Sequence, residues 1–262
     1  MMGPDRMRER LEAGEVAYGV LIPWPNADLV EAAGVSGFDY VFIDAEHGAL
    51  DRKVCVEMVR AASWAGMASL IRVPYSDIRG AYAYLDMGAH GLIFPHITSE
   101  ADARSATRVC LFPPEGSRGA SSSSRAARYG TKSKAEEYYR SSNKAVWVVP
   151  VIEDVEGVDA LEEILAVPGI QTFFVGPGDL ALSRLTSGNA NPPPVDKLVD
   201  QAIATGVRLG KYVAAPAATP AIARTLVEKG VRVVVIGATA LFTGACRAYL
   251  DAVPGPSAMA KP

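Results

Sequence analysis

The chain has 262 residues, close to the ~250 of an eight-fold βα barrel in one domain. Twenty-six Lys and Arg against 29 Asp and Glu give a formal charge of −3 and a pI of about 5.7, a balance that excludes the basic stripe a nucleic-acid partner needs. Hydrophobic residues make up 49%, which excludes global disorder, and three dispersed cysteines exclude a disulfide framework or a thiolate zinc site.

Taken in chain order, one pattern repeats: a short apolar run, a loop, then an amphipathic stretch. Strands are predicted over residues 17–22, 40–44, 69–73, 91–95, 145–152, 172–175, 212–215 and 232–236. They are rich in Val, Ile, Phe and Tyr, with charges only at or beside their ends, as strands buried on both faces require. Helices are predicted over 27–33, 52–65, 78–87, 100–110, 158–165, 196–208, 220–229 and 239–252. Asn26, Asp51, Asp77 and Ser99 stand as N-caps, and Gly34, Gly66 and Gly88 as stops. Cys55, Cys110 and Cys246 all fall in helices, where a buried thiol serves as a small hydrophobe.

The alternation predicts a single α/β domain over 1–254, a (β/α)₈ TIM barrel with a short N-terminal helix before it. A doubly wound open sheet is the alternative, but no G-x-G-x-x-G follows the first strand. The polar stretch 112–143, between strands four and five, is either a flexible excursion or carries helices of its own. Residues 187–195 read as a stiff linker and 255–262 as a disordered tail. Apolar runs such as 233–238 are far shorter than the ~18 residues of a membrane span. The apolar stretch 16–24 contains Pro23 and reads as a strand instead of a secretion signal, so the expected location is the cytoplasm, with no membrane partner.

A barrel of this kind carries its chemistry at the C-terminal ends of its strands. Polar residues gather there: Asp44-Ala45-Glu46-His47-Gly48 after strand two, Arg72 at strand three, Pro95-His96 at strand four, Glu153-Asp154 at strand five and Gly176-Pro177-Gly178-Asp179 at strand six. Glu153 and Asp179 on adjacent strands suit a hard divalent cation; a salt-bridged or capping pair is the plainer alternative, and Asp154 competes with Glu153 for the inward position. The glycines at 176 and 178 let an anion approach the backbone. Arg72 is costly unless paired, and its guanidinium suits an enolate or carboxylate oxygen, a structural ion pair being the alternative. His47 follows Asp44 and Glu46, either of which could orient its ring for acid–base work. His90 lies at the opposite, structural end, and His96 has no evident partner. None of the eight Lys ends a strand, which leaves a Schiff-base mechanism without a candidate.

The segments Gly37-Phe38-Asp39-Tyr40, Ile43-Asp44-Ala45-Glu46-His47-Gly48, Ile71-Arg72-Val73-Pro74, Asp86-Met87-Gly88-Ala89, Gly91-Leu92-Ile93-Phe94-Pro95, Arg118-Gly119, Val151-Ile152-Glu153 and Val175-Gly176-Pro177-Gly178-Asp179-Leu180 occur in an order and spacing that resemble the HpcH/HpaI family of class II pyruvate-dependent aldolases. The resemblance runs from about Gly19 to Leu250. It implies a divalent metal ion (Mg²⁺, Mn²⁺ or Co²⁺) held by Glu153 and Asp179. It further implies a pyruvate carboxylate at the amides of Gly178 and Asp179, Arg72 at the keto oxygen, and His47, oriented by Asp44, as acid/base. Leu21 stands where many members carry Trp, and Leu21 with Trp24 would face the aldehyde. Asp86 would approach the catalytic histidine across a subunit contact, in a homohexamer using the C-terminal helix. The implied activity is reversible cleavage of a 4-hydroxy-2-oxo acid to pyruvate, or hydroxypyruvate, and an aldehyde, both small-molecule partners. Alternatives are an oxaloacetate decarboxylase or decarboxylating synthase using the same enolate, and a non-catalytic barrel that binds a 2-oxo acid.

Overall fold

A computed structural model describes residues 5–131, 134–186 and 193–253. Eight parallel strands close on themselves in sequence order. They are β1 (Ala17–Ile22), β2 (Tyr40–Asp44), β3 (Ala68–Arg72), β4 (Gly91–Phe94), β5 (Trp147–Ile152), β6 (Thr172–Val175), β7 (Tyr212–Pro216) and β8 (Val233–Gly237). The helices are α1 (Arg6–Glu12), α2 (Ala27–Val35), α3 (Arg52–Trp64), α4 (Tyr82–Asp86), α5 (Glu100–Cys110), α6 (Ala135–Ala145), α7 (Val155–Asp159), α8 (Leu161–Leu165), α9 (Pro177–Thr186), α10 (Val195–Arg208), α11 (Pro220–Glu228) and α12 (Ala238–Ala252).

Strand alternation divides the core into two. Tyr40, Phe42, Ala68, Leu70, Trp147, Val149 and Val151 fill the barrel interior. Val41, Ile43, Ile71, Leu92, Val148 and Ile152 face the helices. The period of two carries on to the strand ends. Asp44 follows Phe42, Arg72 follows Leu70 and Glu153 follows Val151, so the parity that packs the barrel also delivers polar groups to its top. At the other end α1 closes the barrel. Met7 and Leu11 pack into the interior cluster, Asp5 accepts the Trp147 indole N–H at 2.8 Å, and the Arg8 guanidinium lies 4.0 Å from the Trp147 ring centroid.

Several elements differ from the sequence expectation. Asp77 caps no helix. Arg52 takes its carboxylate at 2.6 Å, and a 3₁₀ turn, Tyr75–Gly80, precedes a short α4. The helix expected over 158–165 is the pair α7 and α8; Asp154 stands at the N-cap of α7 but caps nothing, because its carboxylate is engaged by His96. Ala145 ends α6 instead of opening β5, and α2 runs through Gly34 to Val35. Among its described residues, the excursion over 112–143 carries a 3₁₀ turn, Arg128–Gly130, and most of α6, in line with the expectation that it has helices of its own. Gly176-Pro177-Gly178-Asp179 leads into α9, with Pro at the first position where its missing N–H costs nothing. Cys55 and Cys110 are buried as expected, but Cys246 is exposed. The tail 255–262 and most of the 187–195 linker lie outside the described residues.

The last helix departs most from an ordinary barrel. Beyond Ala238 every residue of α12 is exposed, including Leu241, Phe242, Tyr249 and Leu250. The outer face of β8 and β1, which an eighth helix would cover, is instead a groove of about 300 Å³ lined by Tyr18, Phe38, Val234 and Ile236 among others.

Candidate active site

The top of the barrel is built by neighbouring strands. Asp44 and Arg72 are register partners on β2 and β3. Arg72 Nε donates to Asp44 Oδ1 at 2.9 Å and Nη2 to Oδ2 at 2.7 Å, a fork-to-carboxylate pair with both groups largely buried. Burial alone would push the Asp44 carboxyl up, but the Arg72 hydrogen bonds and charge, with the His47 backbone amide, hold it below the usual carboxylate range. Burial likewise opposes the Arg72 charge, and Asp44 and then Glu46 outweigh it, so the guanidinium stays firmly protonated. Nη1 makes no hydrogen bond among the described residues.

His47 lies on the loop after β2 with its side chain mostly exposed at the barrel mouth. The carboxylate that meets its ring is Glu46, with Oε2 3.6 Å from Nε2. Asp44 orients His47 only through the backbone, accepting its amide at 3.3 Å. Both oxygens of Asp44 accept from Arg72, and the carboxylate nearest the imidazole is that of Glu46. Glu46 is shared between Arg72 Nε at 3.4 Å and His47, and burial raises its carboxyl despite both neighbours.

Glu153 is the inward carboxylate of the Glu153-Asp154 pair, 2% exposed. Its Oε1 accepts the backbone amide of His96 at 3.0 Å. Asp154 turns the other way and meets His96 Nδ1 at 2.9 Å, the partner that the sequence did not reveal. Burial pushes the Glu153 carboxyl up, and the negative charge of Asp179 adds to it. Glu153, raised by its burial and by the negative charge of Asp179, fits a hard cation, which relieves that repulsion through oxygen donors. Space for it is kept by Gly176: a Cβ there would lie 2.8 Å from Glu153 Oε2. Among the described residues no cluster of three or more His, Cys, Asp or Glu could hold a metal, so a bound ion would complete its shell with water or substrate. Asp179 sits in the first turn of α9. The amides of Gly178 and Asp179 have no acceptor among the described residues, and the first one bonded is Leu180, to the Gly176 carbonyl at 3.1 Å. A helix start of this kind attracts an anion.

The remaining predicted positions separate into two groups. Leu21 is half-buried against the barrel interior and is paired in register with Phe42 and Gly237. Trp24 is more exposed and meets the Phe242 ring of α12 edge to face at 6.4 Å. Asp86 lies at the end of α4 and is bound within the chain by buried Arg118 at 2.6 Å. His90 is buried at the other end of the barrel, its Nδ1 accepting the Ser69 amide at 3.1 Å.

A family model described as HpcH/HpaI aldolase/citrate lyase matches residues 17–240. The chain is 31% identical over 250 residues, 95% of its length and 96% of the relative's, to a 5-keto-4-deoxy-D-glucarate aldolase of Citrobacter koseri. Among solved structures it is similar to an HpcH/HpaI aldolase/citrate lyase family protein of Burkholderia cenocepacia, with TM-score 0.84, 32% identity, and 94% and 97% of the two chains covered. It is also similar to the citrate synthase SbnG, with TM-score 0.81, 25% identity, and 93% and 95% covered. With its closed barrel and the carboxylate, arginine and histidine groups at its upper rim, the chain belongs to the HpcH/HpaI aldolase/citrate lyase family.

Proposed function

We propose that the protein is a divalent-metal-dependent aldolase that cleaves a 4-hydroxy-2-oxo acid, of the 5-keto-4-deoxy-D-glucarate type, to a pyruvate unit and an aldehyde. The observation that carries this reading is the pairing of two half-sites at one barrel end: Glu153 with Asp179, and Arg72 locked by Asp44. Bound at Glu153 and Asp179, a divalent cation would supply Lewis-acid polarisation of the 2-oxo group. The amides of Gly178 and Asp179 receive the substrate carboxylate at the start of α9. Arg72, its Nε and Nη2 committed to Asp44, offers Nη1 to the C2 oxygen. His47, beside Glu46 at the mouth, takes the C4 hydroxyl proton. The C3–C4 bond then breaks, its electron pair moving to form the C2 enolate as the aldehyde leaves. Charge developing on the C2 oxygen faces a donor already in position, an arrangement worth about 3–4 kcal/mol per donor. Leu21, with Trp24 further out, would border the aldehyde.

The test is pyruvate release from a 4-hydroxy-2-oxo acid after EDTA treatment and add-back of Mg²⁺, Mn²⁺ or Co²⁺. Activity should vanish with the chelator and return with the ion; full turnover in excess EDTA would reject the metal mechanism. A parallel assay with oxaloacetate separates aldol cleavage from the decarboxylating chemistry that the same enolate permits. The same reading takes the enzyme to be a cytoplasmic homohexamer; the exposed apolar α12 and the groove left open on β8 and β1 support its self-association. Asp86 would reach a neighbouring subunit's site in that assembly.

A further inference from the structure

Among the described residues only three non-glycine residues have positive φ, and one of them, His96 at φ 52, stands at the top of the barrel just after β4. The left-handed conformation is unfavourable for any residue with a Cβ, so something must hold it. Three contacts do so. The His96 ring is fixed from one side by Asp154, 2.9 Å from Nδ1, and from another by the edge of Tyr75 at a centroid separation of 5.6 Å. The next residue, Ile97, donates its amide to Val151 on β5 at 3.3 Å. Its carbonyl lies where a Cβ on Gly157 would come within 2.7 Å, so the absence of a side chain there lets α7 close onto the turn.

The result is the direction of one N–H. The His96 amide donates to Glu153 Oε1 at 3.0 Å. The other carboxylate oxygen, Oε2, lies over Gly176, where no side chain intrudes. A single residue meets both carboxylates: His96 reaches Glu153 Oε1 through its backbone amide at 3.0 Å, with its ring Nδ1 a further contact at 3.8 Å, and it meets Asp154 through the ring at 2.9 Å.

We propose that His96 is a positioning residue for the cation site. Its left-handed amide clamps Oε1 of Glu153 and so presents Oε2, with Asp179, to a divalent ion; the Asp154–imidazole pair holds that backbone in place. The role rests on the reading of Glu153 as a metal ligand. It belongs to the backbone at position 96; the ring contacts, to Asp154 and more distantly to Glu153 Oε1 at 3.8 Å, offset the cost that a Cβ brings to this conformation, a cost glycine does not carry.

Two substitutions separate backbone from ring. Glycine adopts φ near +50 readily, so His96→Gly removes the imidazole but keeps the clamp. A β-branched residue resists that conformation, so His96→Val removes both. Mn²⁺ binding to metal-free protein, followed by calorimetry, should change less than threefold in His96→Gly and weaken about tenfold in His96→Val. Hydrogen exchange of the position-96 amide should be slow in wild type and His96→Gly and fast in His96→Val. If His96→Val does not fold, His96→Ala takes its place against the glycine variant. Equal Mn²⁺ affinity in the two variants, whether both retained or both lost, would overturn the proposal. Rapid exchange of the wild-type amide would do so as well. A protected amide in a wild-type protein that binds no Mn²⁺ would instead reject the metal reading of Glu153, and with it this role.

Discussion

Arg72 and Asp44 form a two-bond fork between adjacent strands, with Nε to Oδ1 at 2.9 Å and Nη2 to Oδ2 at 2.7 Å. The pair fixes the guanidinium plane before any substrate arrives. Lysine at position 72 would keep the charge but lose the planar fork and the aim of Nη1. Arg72→Lys should therefore lower kcat by roughly 10²–10³, the cost of one misplaced oxyanion donor, while Mn²⁺ affinity stays near wild type. Steady-state turnover of a 4-hydroxy-2-oxo acid checks it, and a kcat within a few-fold of wild type would remove Arg72 from the transition state.

The same pair sets a pH dependence of stability. Arg72 holds the Asp44 carboxyl below its ordinary range even though burial opposes this. A carboxyl lowered in the folded state binds fewer protons there than in the unfolded chain, so its contribution is complete above the ordinary carboxylate pKa of about 4. It is lost as pH falls through the lower, folded value. Asp44→Asn removes the charge and the fork and leaves the buried guanidinium with Glu46 at 3.4 Å as its remaining close carboxylate, at a cost of about 3 kcal/mol near neutrality. Urea unfolding of both proteins should show that gap constant from pH 5 to 7 and narrowing below about pH 4. A gap that widened on acidification would contradict the ion pair.

These relations were partly legible in the sequence. All eight strands lie within two residues of their expected positions because two-sided burial makes their apolar runs unmistakable. Alternation leaves Glu153 and Asp154 as competitors, and only the family resemblance favours Glu153; the structure shows Val151 facing the interior, and two residues later the parity repeats at Glu153. What stayed hidden depends on partners distant in the chain. Asp77 reads as a helix cap until Arg52, 25 residues earlier, takes its carboxylate. His96 lacks a visible partner because Asp154 reaches it from the next strand, across a left-handed turn that no local residue announces. The apolar character of α12 is plain in the sequence, but its departure from the face of its own barrel is implied there only through the family resemblance.

The three cysteines should separate cleanly by reactivity. Burial pushes the Cys55 thiol up to about 11 and the Cys110 thiol up to about 12, so neither offers appreciable thiolate at pH 8. Cys246 is exposed on α12. Iodoacetamide at pH 8 should leave Cys55 and Cys110 unmodified in the native protein and reach them only after denaturation, as peptide mass mapping would show. Early alkylation of Cys110 would mean that α5 opens locally far more often than its buried face allows.

Cys246 also reports on assembly. It lies on one stripe of α12 with Phe242, Tyr249 and Leu250, at spacings of four, three and four residues that share a helix face. Exposed large apolar groups gathered in this way mark an interaction surface, and the open groove of Tyr18, Phe38, Val234 and Ile236 is an apolar counterpart of suitable kind. Placing a charge in such a contact is costly because it would be desolvated without a partner. Phe242→Asp combined with Leu250→Asp should therefore dissociate the proposed oligomer in light scattering. Far-UV circular dichroism should stay that of the wild type, because both side chains are exposed in the single chain. Iodoacetamide should at the same time reach Cys246 faster in the variant than in wild type, since the proposed assembly would cover the stripe. An unchanged mass, or equal Cys246 labelling in the two proteins, would mean that α12 does not hold the assembly together.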